Sequence, residues 1–127
     1  MIARMSAKPP LKLIWFAMLA AVAIYVVLAW TTIREPAGIS VVQALEIQPV
    51  PILYLLALVM LLAAMFLPRL LHPGMRLIIR WALLEAVVIF GLIAAFIVRE
   101  PRLVLPPAVM ALAGFLTSFP SDETNYA

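Results

Sequence analysis

The chain has 127 residues, 67% of them hydrophobic and 12% charged, with a net charge of +3 and no cysteine. An ordinary soluble domain carries roughly 45 to 50% apolar and 25% charged residues, so water is excluded as the solvent of this fold. The missing cysteines exclude disulfides, thiolate metal sites and a cysteine nucleophile, and the nine Lys and Arg are spread over segment ends, where topology and phospholipid headgroups explain them without nucleic acid as a partner.

Four stretches, at 13–33, 47–67, 78–98 and 103–119, are predicted to be membrane-spanning helices. A helix rising about 1.5 Å per residue needs roughly 20 residues to cross a hydrocarbon core about 30 Å thick. The first stretch follows Arg4, Lys8 and Lys12, as a signal peptide would, but about 21 apolar residues exceed the usual 7 to 15 of a signal core. Ala29-Trp30-Thr31 is also a poor cleavage site, so an uncleaved first helix is expected. Prolines stand at the span edges, including Pro36, Pro49, Pro68, Pro101 and Pro107, where a residue that suits the first helical turn and disfavours helix before it belongs. Pro73-Gly74 reads as a turn, and His72 beside it as an ordinary loop histidine rather than a ligand.

The fourth stretch is the shortest. A helix starting only at Pro107 would cover roughly 20 Å to Phe119, so either 103–105 extend it or it is tilted or re-entrant. Residues 1–120 form one transmembrane domain, an all-α four-helix bundle, and 121–127 a polar tail. With both termini on the cytoplasmic side, six Lys and Arg lie inside and three outside, the orientation the positive-inside rule favours.

Sliding the chain against itself by 65 residues lays 17–36 over 82–101, and nine of those 20 positions match. The polar part of the match, Arg34-Glu35-Pro36 over Arg99-Glu100-Pro101, points to a duplicated two-helix hairpin; shared membrane composition is the other reading. Each triplet also reads simply as a capped helix end, with a cation near the last carbonyls and a proline stop.

Glu85 is the one acid inside a span. A carboxylate at the bilayer centre costs on the order of 3 kcal/mol, so it is expected to face the bundle interior and to meet Lys12, Thr117 or Ser118, which depth matching brings near it. Lying only five residues past Arg80, it is near enough to one surface for snorkelling to lower that cost. It is either an ion-binding carboxylate or a polar clamp between helices. Gly91 with Ala95, and Ala17 with Ala21, form small-xxx-small pairs that read as helix-packing faces, while Trp15, Trp30, Tyr54 and Trp81 sit near span ends as interfacial aromatics. No metal cluster, phosphate loop or Ser/His/Asp set can be assembled, so no cofactor and no ordinary enzyme are expected.

The run Ala82-Leu83-Leu84-Glu85-Ala86 followed by Ile89-Phe90-Gly91-Leu92 resembles the carboxylate helix of the proteolipid c subunits of rotary ATP synthases. The resemblance covers about residues 50–98 and implies that Glu85 is the ion-binding acid, with 52–67 as the other arm of the hairpin. A duplicated hairpin keeping one acid also looks like the tandem proteolipids of vacuolar-type ATPases. The first arm, 52–67, departs from that family in lacking the glycines its ring packing uses. Two functions are therefore expected. One is a non-enzymatic accessory or structural subunit of an assembly in a bacterial cytoplasmic membrane, with lipid and either other membrane subunits or copies of itself as partners. The other is a proton- or cation-coupled component, proteolipid-like or similar in size and span number to the small multidrug transporters.

Overall fold

The computed structural model describes residues 11–118 as helices joined by short turns, with no strand among them. The elements are α1 (Leu11–Thr32), a single turn α2 (Val41–Ala44), α3 (Val50–Phe66), α4 (Arg76–Val98) and α5 (Leu105–Thr117), with 3₁₀ turns at Leu67–Leu70, Pro73–Met75 and Pro101–Val104. Phe119 and the tail at 121–127 lie outside the described residues. Three segments, Leu11–Thr32, Val50–Leu70 and Pro73–Val98, are long and apolar enough to cross a membrane, while Pro101–Thr117 is shorter. The protein is an all-α integral membrane protein.

Proline sets the helix ends. Pro49 precedes the first turn of α3 and Pro51 lies within it, while Pro106 and Pro107 open α5. Those positions need no N–H because no earlier carbonyl faces them. The end of α4 is made differently. Arg99 takes a left-handed conformation, φ 65°, and the N–H of Glu100 reaches back 3.0 Å to the carbonyl of Ala95. This is a Schellman closure with arginine where glycine is usual. The first loop carries its own stop: Ser40 and Gln43 form a reciprocal capping box that starts α2.

Helix α4 is the hub, touching α1, α3 and α5, whereas α1 and α3 make at most incidental contact with each other. In the most apolar window of each span, 44% of residues are buried in α4 against 17% in α1 and in α3. What each outer helix buries is a seam. On α1 the inward positions are Leu11, Trp15, Met18, Val22, Tyr25 and Ala29, alternating by four and three. On α3 they are Val50, Tyr54, Ala57, Leu61 and Ala64 in the same rhythm. That 3.5-residue repeat keeps one narrow stripe against a partner, as in coiled coils. The rest of each surface, apolar as well, is left for lipid.

Two ends can be distinguished. At the basal end, Arg80 at the start of α4 donates from Nε to the carbonyl of Ala64 near the end of α3, 3.1 Å away. Trp15 at the start of α1 meets Phe115 near the end of α5. At the apical end the first loop docks on the turn after α4. Thus α1 and α4 run one way and α3 and α5 the other. The basal end carries Lys12, Arg69, Arg76 and Arg80 with no acid among the described residues before Glu85, whereas the apical end sets Arg34, Arg99 and Arg102 against Glu35, Glu46 and Glu100.

Candidate functional site

Glu85 is half-buried on α4 and its Oε1 accepts a hydrogen bond of 3.1 Å from the hydroxyl of Tyr25 on α1. Lys12, Thr117 or Ser118 is expected from depth to meet it, and none of the three is its hydrogen-bond partner. Lys12 is exposed on the first turn of α1 with no hydrogen bond or ion pair among the described residues. The Thr117 hydroxyl donates to the carbonyl of Gly114, 3.0 Å, on its own helix. Ser118 is buried; its hydroxyl donates 2.6 Å to the carbonyl of Gly114 and accepts 3.0 Å from the indole N–H of Trp81. The reason is register. Tyr25 lies on the inward seam of α1, and helix side chains lean toward the N-terminus, so a tyrosine several residues further along a parallel helix reaches back to the carboxylate.

The tryptophans act as crosslinks. Trp81 is 0% exposed, and Trp15 donates its indole N–H 2.8 Å to the carbonyl of Phe115. Both tie the end of α5 to another helix, Trp15 through the Phe115 carbonyl and Trp81 through the Ser118 hydroxyl. Trp30, in contrast, is exposed near the end of α1. Tyr54 on α3 donates to the carbonyl of Leu103 in the turn that leads into α5.

Of the two small-residue pairs, Gly91 and Ala95 are both buried, and a Cβ on Gly91 would lie 2.6 Å from Cγ of Pro107, so α4 and α5 touch backbone to ring there. Ala17 is exposed and Ala21 half-buried, so that pair lies outside the core of the single chain. His72 accepts from the N–H of Gly74 through Nδ1, 3.1 Å, and so closes its turn. Among the described residues no group of three or more His, Cys, Asp or Glu could hold a metal ion.

One acid, Glu100, is buried with no sign of it in the sequence pattern. Glu100 is 1% exposed, and its Oε1 accepts 2.8 Å from the N–H of Gly38 while Oε2 lies 3.3 Å from Nε of Arg102. The neighbouring bond, Ala37 N–H to the carbonyl of Arg99 at 2.8 Å, completes the latch. The chain just beyond the first Arg-Glu-Pro is therefore bound to the second. The triplets, alike in sequence, do different jobs: Glu35 is exposed and Glu100 is enclosed. The sequence signals only the triplets' placement, since a repeated polar triplet in so apolar a chain marks two turns at the same end.

A cavity of about 510 Å³ opens at the basal end between α3, α4 and α5. Leu61 and Met65 form one wall, Met110 and Gly114 another, and Leu84 the back, with Arg69 and Arg80 also lining it. No acid lines it. Compared with known proteins, the chain matches no family model, no curated protein and no solved structure, so its sites are read from their own chemistry.

Proposed function

We propose that the protein is a non-enzymatic accessory or structural subunit of a larger assembly in a bacterial cytoplasmic membrane. The observation that carries this reading is how little α1 and α3 use one another: each leans on α4 along one narrow seam and leaves the remaining face open to a neighbour or to lipid. In this reading Pro101–Thr117 completes a fourth crossing. Its 3₁₀ turn and α-helix, if coaxial, span about 27 Å by helical rise, close to a hydrocarbon thickness of about 30 Å. The basal end, basic and without surface acids among the described residues, lies on the cytoplasmic side with both termini. The Glu85–Tyr25 bond is then a clamp between α1 and α4, the kind of interhelical contact worth about 1 kcal/mol in a bilayer.

A proton- or cation-binding role for Glu85 is the second reading, and one observation favours it: only Oε1 is engaged, Oε2 having no hydrogen-bond partner among the described residues. Ion flux in reconstituted vesicles separates the two. A structural subunit gives no flux above empty vesicles, and Glu85→Gln changes assembly or stability alone. Flux that vanishes in Glu85→Gln, together with labelling of Glu85 by a hydrophobic carbodiimide, would replace the structural reading with the proteolipid-like one.

A further inference from the structure

The basal cavity joins two features that rarely meet by accident in a bilayer. Its depth is apolar, lined by Leu61, Leu84 and Met110, and two arginines, Arg69 and Arg80, stand among its lining residues. α4 closes the back between α3 and α5, which share few contacts, and the small side chains of Ala64 and Ala113 leave space between them. A gap beside acyl chains forfeits dispersion contacts on every wall, so in the membrane it is filled by hydrocarbon. Its volume of about 510 Å³ falls within the ~300–1,000 Å³ of small-ligand sites.

The arginines decide what that hydrocarbon is attached to. Arg80 uses Nε to hold the carbonyl of Ala64, and neither its terminal nitrogens nor the guanidinium nitrogens of Arg69 have a hydrogen-bond or carboxylate partner among the described residues. Arg69 sits over the ring of Phe66 with 5.4 Å between its guanidinium carbon and the ring centroid. A guanidinium held over a ring face keeps N–H donors for an acceptor. Guanidinium forks match phosphate oxygens, and basic pockets between membrane helices take anionic headgroups. We propose that this cavity is a binding site for one anionic phospholipid, with an acyl chain between α3 and α5 and the headgroup phosphate held by Arg69 and Arg80. The site is independent of whether the protein belongs to a larger assembly.

Native mass spectrometry of the full chain in mild detergent tests this, with phosphatidylglycerol and phosphatidylcholine of identical acyl chains as probes and glycerol phosphate as the headgroup without a chain. Phosphatidylglycerol should be retained over phosphatidylcholine, with each arginine contributing roughly fivefold. Arg69→Gln should lower that preference, and the double variant Arg69→Gln with Arg80→Gln should bring it near parity. Arg76→Gln, a basal arginine outside the cavity, should leave it unchanged. Because Arg80 also holds the end of α3, Ala113→Phe provides a second route: it fills the cavity without touching the arginines and should reduce retention of both lipids. Equal retention of the two lipids by the unaltered chain would overturn the proposal. So would a loss in Arg76→Gln as large as in Arg69→Gln, unchanged retention of both lipids in Ala113→Phe, or displacement of the lipid by glycerol phosphate at equal concentration.

Discussion

Gly91→Ala isolates the closest approach between two helices. The new methyl would sit 2.6 Å from Cγ of Pro107, 3.0 Å from its Cβ and 3.4 Å from its Cδ. Carbon atoms prefer about 3.5 to 4.0 Å, so α4 and α5 must part by roughly 1 Å or the ring must shift. A proline ring in the first turn of a helix has no rotamer to move into, so the helices part. Overpacking of this kind costs about 1–3 kcal/mol, and in water replacing glycine by alanine inside a helix returns at most about 1 kcal/mol. The net expectation is a loss of about 1–2 kcal/mol. Gly114→Ala is the control: its Cβ would lie 2.7 and 2.8 Å from the two terminal methyls of Leu84, which can rotate away, so less than about 1 kcal/mol is expected. Unfolding from detergent micelles by sodium dodecyl sulfate, followed through the fluorescence of buried Trp15 and Trp81, measures both. A neutral or stabilised Gly91→Ala, or a Gly114→Ala that costs more, would refute the assigned α4–α5 contact.

Three further outcomes follow from named contacts. Tyr25→Phe removes the only hydrogen bond the Glu85 carboxylate makes among the described residues and should cost about 0.5–1 kcal/mol by the same titration, whereas Trp30→Phe at an exposed position should cost less. Glu100→Ala strands the N–H of Gly38 and should cost about 1–3 kcal/mol, with faster amide exchange at Ala37, Gly38 and Arg102; unchanged exchange at Gly38 would remove the latch. Arg99→Gly places glycine in a left-handed position and should stabilise by about 1 kcal/mol, and a loss instead would mean that the arginine side chain outweighs its backbone strain.

Hydropathy made the spans legible because one solvent property, the thickness of the hydrocarbon, sets their length. The helix ends were legible for a similar reason: proline's missing N–H restricts Pro49, Pro106 and Pro107 to places where no carbonyl waits. The inward faces were not. On α1 nearly every side chain is apolar, so polarity cannot tell Val22, buried, from Ile24, exposed; only the four-three spacing through Trp15, Val22 and Ala29 does. Depth matching along extended helices brought Lys12, Thr117 and Ser118 to Glu85, whereas the contact depends on which seam faces α4, and Tyr25 is on that seam. Trp15 and Trp81 look like interfacial anchors in sequence, yet their indole N–H groups bond acceptors at the end of α5, a pairing visible only once the helices are side by side. The burial of Glu100 was hidden by its twin, because Glu35 in the matching triplet is exposed.

Helix α4 is the protein core of a membrane-embedded fold whose outer helices face lipid. Since the chain has no cysteine, a spin label on any single introduced cysteine reports one site without background. Labels at Ile24 on α1 and Leu58 on α3, both exposed, should be relaxed strongly by oxygen, which concentrates in hydrocarbon, and weakly by a water-soluble nickel chelate; a label at Val88 on α4, which is 0% exposed, should be shielded from both. Strong relaxation by the nickel chelate at Ile24 and Leu58, or a label at Val88 as open to oxygen as theirs, would contradict the account.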